Sequence, residues 1–124
     1  MLFDPIGMHP VEPGIDGAGV WTAGYATNTT TRNFAKLGLL WLRGGEWDGA
    51  QLVSRDYIDF ARTPSPVSDY YGGQIWLDSD GVFEMIGVGG QSVVMDPARD
   101  LVIASNNGGA PIRGLFAGVD PVVC

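Results

Sequence analysis

The side chains able to do chemistry are few, and their spacing excludes more than it allows. An acyl-transfer nucleophile needs a base within hydrogen-bond reach, so the six serines are the first candidates: Ser54, Ser65, Ser68, Ser79, Ser92 and Ser105. None stands in a Gly-x-Ser-x-Gly turn, and none is followed three places on by lysine. Lys36 is the only lysine, and Asn33 lies three residues before it. A serine–histidine pair would have to use His9, which sits in a Pro-rich opening segment and reads as a surface-loop residue. The carboxylates Asp78-x-Asp80-x-x-x-Glu84 are too few and too closely spaced for a calcium loop of the EF-hand type. They read as a solvated turn. Gly87-Val88-Gly89-Gly90-Gln91-Ser92 superficially resembles a phosphate cradle, but it lacks the P-loop lysine and precedes a strand pattern. A glycine bulge between strands is the plain reading, although paired glycines also let a ligand approach the backbone.

The elements that must position these groups follow from local signals. Residues 1–24 hold Pro5, Pro10 and Pro13 among several glycines and are expected to be irregular. Thr30 or Thr31 can cap a helix whose apolar face is built from Phe34, Leu37, Leu40 and Trp41. Gly44-Gly45 ends it, and a Trp47-Asp48-Gly49 turn follows. The same cap explains Asn28-Thr29-Thr30, formally a glycosylation sequon. Ser54 caps a second helix that stops before Pro64. From residue 70 the pattern turns to strands at Tyr71–Leu77, Val82–Ile86, Ser92–Met95 and Leu101–Ser105. The connections are Asp78–Gly81, Gly87–Gly90 and Asp96–Asp100, short enough to force antiparallel neighbours. Ile112–Val119 reads as a short terminal helix. Trp21, Trp41, Trp47 and Trp76 have the surface to line a ligand groove, but at their helix and strand positions core packing is the expected reading. The fold class is α+β, an antiparallel β-meander with helices covering one face.

Composition narrows the partners. The chain has 124 residues, 14 acidic against 7 basic, and a net charge of −7, which removes the electrostatic basis of nucleic-acid binding. One His and one Cys (Cys124) cannot assemble a His/Cys zinc site or an intrachain disulfide. No apolar run reaches the ~18 residues of a membrane span. The opening lacks a basic region followed by an apolar stretch, so no signal peptide is expected and compartment stays open. No cofactor is called for.

Taken in order, several segments resemble the C-terminal portion of the β-lactamase-related serine hydrolases. That family includes class C β-lactamases, D-alanyl-D-alanine carboxypeptidases, esterases and 6-aminohexanoate-dimer hydrolases. Leu2–Met8 is similar to the family's LFxPLGM segment, and Thr31–Leu40 to its T-x-R-D-L-A-K-F-G-L-L helix with Asn33 for Asp. Gly44–Gly49 resembles the GG-x-W-x-G turn, and Tyr71–Trp76 the YGYGWW strand. Gly87–Gln91, with Asp96-Pro97 and Asp100–Ile103, resembles the GHGGQ…P…DLVVV ending. The resemblance covers most of residues 2–103.

The resemblance implies an α+β β-lactamase/transpeptidase-like fold and hydrolysis of a small-molecule amide or ester through an acyl-serine. It also implies that residues 1–124 form a partial domain. The family's Ser-x-x-Lys and Tyr-x-Asn motifs precede the LFxPLGM segment, and neither occurs here. The chain alone is therefore expected to be inactive. The family's third motif maps to Val88-Gly89-Gly90 as substrate-binding residues, with Val88 at the cationic or imidazole position. Gln91 maps to the residue whose backbone N–H forms half of the oxyanion hole. Association with the missing N-terminal part, or self-association, is expected. The alternative is a non-catalytic interaction module that recruits partners through exposed strand edges.

Overall fold

The computed structural model describes residues 2–22 and 24–106, so the expected helix at Ile112–Val119 lies outside the described residues. Helix α1 spans Thr31–Leu42, with Thr30 as its cap; the Thr30 hydroxyl accepts from the Asn33 N–H at 3.2 Å. At its end Gly45 N–H reaches Leu40 O and Gly44 N–H reaches Trp41 O, the paired bonds of a Schellman stop. Both glycines take positive φ, which the stop requires of Gly44, the first residue past the Arg43 cap. Strands β3 (Glu46–Trp47) and β4 (Ala50–Gln51) then pair across Asp48-Gly49, where both residues have φ > 0, the combination a tight primed hairpin turn demands. Helix α2 covers Arg55–Ala61 under a Ser54 cap.

The main sheet has four antiparallel strands in chain order: β5 (Trp76–Leu77), β6 (Phe83–Ile86), β7 (Ser92–Asp96) and β8 (Leu101–Ser105). Side chains alternate between its two faces. Phe83, Val93 and Met95 lie buried on one face, against Phe34, Trp41 and Leu42 of α1. Val82 and Val94 form a smaller cluster with Leu101 and Ile103 on the other. Gly38 brings α1 close to the sheet: a Cβ there would lie 2.6 Å from Val93 Cγ1. Ile6 and Met8 of the opening turn pack on Leu40, so this segment closes a third cluster over the far side of α1. Lys36 ties that turn down by donating from Nζ to the Gly7 carbonyl. The α+β meander with a covering helix is the expected architecture.

Three expectations are corrected. Residues 1–24 are not wholly irregular: β1 (Val11–Pro13) pairs antiparallel with β2 (Thr27–Thr29), and the ribbon continues to an Ile15–Trp21 bridge. Buried Asn33 holds it to α1 by donating from Nδ2 to Pro10 O (3.3 Å) and Thr29 Oγ1 (2.8 Å). Tyr71–Leu77 is not one strand, because the chain turns back at Gly72–Ile75 and only Trp76–Leu77 joins the sheet. The turn nests against α2, with Gly73 N–H donating to Ala61 O. A Cβ at Gly72 would lie 2.1 Å from the same carbonyl, so this closeness needs glycine. Finally, Trp21 and Trp76 are exposed rather than core residues, whereas Trp41 packs on the core as expected.

Candidate active-site loop

The residues singled out by the sequence meet in one place, the connection between β6 and β7. Gly87 N–H donates to Gln91 O at 2.7 Å and Gly90 N–H to Gly87 O at 2.9 Å. With Gly90 at φ +81°, this is a three-residue hairpin loop closed by a glycine bulge. Neither closing bond uses the N–H of Gln91. Val88 stands at the tip, fully exposed and flanked by glycines. The Gln91 side chain folds back under the tip. A Cβ on Gly87 would lie 2.5 Å from Gln91 Oε1, and one on Gly89 would lie 2.8 Å from Nε2. Gly87 and Gly89 therefore give the carboxamide its space, while Gly90 supplies the backbone conformation.

Next to the loop the sheet face opposite α1 carries its own row. Ile86 is half exposed and shares its face with Glu84, two residues back along β6. Directly opposite Glu84 in the register stands Trp76. Its ring stacks on Tyr70 at 6.1 Å and 7°, and Tyr71 meets it edge-on at 4.8 Å. Burial raises the Glu84 carboxyl above its ordinary range. Sequence reasoning did not assign Ile86, Trp76 and Glu84 to the site; the period of two along β6 was the signal that joins Glu84 and Ile86.

The other candidates have structural work. His9 Nε2 faces Asp4 Oδ1 at 3.5 Å on the surface. The hydroxyls of Thr30 and Ser54 cap helices. Asp78 Oδ1 accepts from the Ser79 N–H and Asp80 Oδ1 from the Val82 N–H, so both carboxylates serve the β5–β6 turn. Buried Asp96 likewise accepts from the N–H groups of Ala98 and Arg99 and from the Arg99 guanidinium. Among the described residues no three His, Cys, Asp or Glu side chains converge as a metal site, and no helix is long and apolar enough to cross a membrane.

Neither a family model nor a curated protein matches the sequence. Solved structures do. A Bacillus anthracis protein described as a 6-aminohexanoate-dimer hydrolase matches 90% of this chain with a TM-score of 0.71 and 27% identity. A Bacteroides dorei protein described as a β-lactamase matches 89% of the chain with a TM-score of 0.61; at 11% identity that likeness concerns the fold alone. The matches cover 33% and 43% of those proteins, so the chain spans less than half the length of either. These neighbours belong with the β-lactamase-related serine hydrolases, the family that the sequence motifs resemble.

Proposed function

We propose that residues 1–124 are the C-terminal portion of a β-lactamase-related serine hydrolase, whose complete form cleaves an amide or ester of a small molecule. In that reaction a serine hydroxyl adds to the carbonyl carbon, and the C–N or C–O bond breaks as the leaving group takes up a proton. Water then hydrolyses the acyl-serine ester and restores the hydroxyl. The part assigned to this chain is the loop at 87–91. The Gln91 N–H is one of two backbone donors that stabilise the developing oxyanion, while Val88, Gly89 and Gly90 border the substrate. A backbone donor needs no particular side chain, so the role is compatible with glutamine at this position.

The observation that carries this reading is the match of nine-tenths of the chain to one third of a 6-aminohexanoate-dimer hydrolase. The polar groups point the same way. Lys36 and His9 are hydrogen-bonded or paired to Gly7 and Asp4, and no serine is among their partners in the described residues. The purified chain is expected to turn over neither nitrocefin nor p-nitrophenyl acetate above a denatured control, and to resist labelling by a fluorophosphonate. Specific covalent labelling of any of the six serines would overturn the reading.

A second reading, a non-catalytic interaction module, draws on the large apolar side chains left in solvent, among them Phe60, Val67 and Tyr25. Light scattering separates the two. A dispersed, stable monomer supports an autonomous module, and self-association supports a portion that expects the rest of its domain.

A further inference from the structure

We infer, independently of the hydrolase reading, that Asp48-Gly49 at the tip of the β3–β4 hairpin is a site of spontaneous isoaspartate formation, a covalent modification of the main chain. Asp-Gly occurs three times, at Asp16-Gly17, Asp48-Gly49 and Asp80-Gly81. Glycine has no side chain to shield its nitrogen and has the widest choice of backbone angles, so its nitrogen can approach the preceding Asp Cγ. There an N–Cγ bond forms on the protonated carboxyl and one Cγ–O bond breaks. Water leaves with that oxygen, its proton and the amide proton. A second water then opens the cyclic imide. Addition at Cγ restores aspartate. Addition at the main-chain carbonyl carbon breaks its bond to nitrogen instead, and the chain then runs through the side-chain carbon.

The fold separates the three pairs. Asp16 Oδ1 accepts from the N–H groups of Ala18 and Val20, both at 2.9 Å, which fixes that carboxylate. Asp80 Oδ1 accepts from the Val82 N–H at 3.1 Å, and the Gly81 N–H donates to Asp78 O at 3.2 Å. There the electrophile and the nucleophile are both tied. Among the described residues, neither the Asp48 carboxylate nor the Gly49 N–H has a hydrogen-bond partner. Both residues are exposed, and a Cβ on Gly49 would meet no atom within 4 Å, so the imide has room. Ring closure requires the turn to open. The flanking strands are two residues each and offer little resistance, and Asp48 leaves a φ of +48°, which side chains of L-residues adopt only at a cost. Isoaspartate adds a carbon to the main chain of a two-residue loop, so the Trp47–Ala50 pairing is lost once it forms.

The full chain, aged in warm, mildly acidic buffer either folded or in urea, tests the inference. Trypsin, cutting after Arg32, Arg43, Arg55, Arg62 and Arg99, places the three pairs in different peptides. Asn107-Gly108 falls in a fourth, and its loss of ammonia changes the mass, whereas aspartate isomerisation does not. Isoaspartate in each peptide is read by electron-transfer fragmentation and by methyl transfer from S-adenosylmethionine with an isoaspartyl methyltransferase. In urea the three pairs should react at similar rates. In the folded chain the Asp48 peptide should carry about tenfold more isoaspartate than the Asp16 or Asp80 peptide, the factor that one or two retained hydrogen bonds supply. Equal levels in the folded chain, or more at Asp16 or Asp80 than at Asp48, would overturn the inference and leave the hydrolase reading standing.

Discussion

Replacing Gly38 by alanine should destabilise the protein, although the same change in an exposed helix stabilises. In a solvent-facing helix interior, alanine gains about 1 kcal/mol over glycine from the lower backbone entropy of the unfolded chain. Gly38 is buried within α1. A Cβ there would lie 2.6 Å from Val93 Cγ1, 2.8 Å from Val102 Cγ1 and 3.2 Å from Met95 Sδ. Carbon atoms rest at about 3.5–4.0 Å, so the helix and sheet must separate by roughly 1 Å. The valines cannot rotate away cheaply, because branching at Cβ restricts χ1. Val93 and Val102 also sit on paired neighbouring strands, so they yield only together. Overpacking of this kind costs about 1–3 kcal/mol, and two stiff contacts place Gly38 toward the upper end. The net loss is about 1–2 kcal/mol. With a urea m-value of about 2 kcal/mol/M, the middle of the usual range, the unfolding midpoint should fall by roughly 0.5–1 M at unchanged m. An unchanged or raised midpoint would refute the close helix–sheet contact from which the estimate is built.

Three further outcomes test other parts of the fold. Asn33→Ala strips the buried donor from Pro10 O and Thr29 Oγ1; it should cost about 1–3 kcal/mol and speed amide exchange in Thr27–Thr29 ahead of the main sheet. Asp96→Ala leaves the Ala98 and Arg99 N–H groups without their acceptor and the Arg99 guanidinium without its carboxylate. A loss of about 3 kcal/mol is expected, and urea unfolding measures it. Burial raises Glu84 from its ordinary 4.5, so the folded state holds a proton that the unfolded state has released. Its contribution to stability is therefore full below pH 4.5 and declines as pH rises through the raised value. Glu84→Gln should remove that decline from the stability–pH curve, and an unaltered slope would count against the burial.

What was legible in the sequence was local. Thr30 and Ser54 mark helix starts because their hydroxyls satisfy amides three residues away. Gly44-Gly45 and Asp48-Gly49 mark a stop and a turn because few other residues adopt their backbone angles. The strand boundaries at Leu101 and Ser105 likewise follow from the turn residues around them. The N-terminal ribbon was not legible. Val11 pairs with Thr29 across a long, glycine-rich connection, and the bonds that hold it come from Asn33 on α1. Tyr71–Leu77 misled for a related reason. Its aromatic run has strand propensity, but contact with the Ala61 carbonyl bends it at Gly72.

The site divides along the same line. Sequence alone determined that Val88, Gly89, Gly90 and Gln91 occupy one short connection, that no Ser-x-x-Lys accompanies them, and that no charge lies between Met85 and Met95. Tertiary structure decided what surrounds that connection. Only the register of β5 on β6 sets Trp76 opposite Glu84 and diagonal to Ile86. Only the bulge at Gly90 folds the Gln91 carboxamide under the tip and leaves Val88 in solvent. The physical reason is range. Caps and turns are set by hydrogen bonds within a few residues, whereas strand register is chosen by which side chains can share a buried face across the whole sheet.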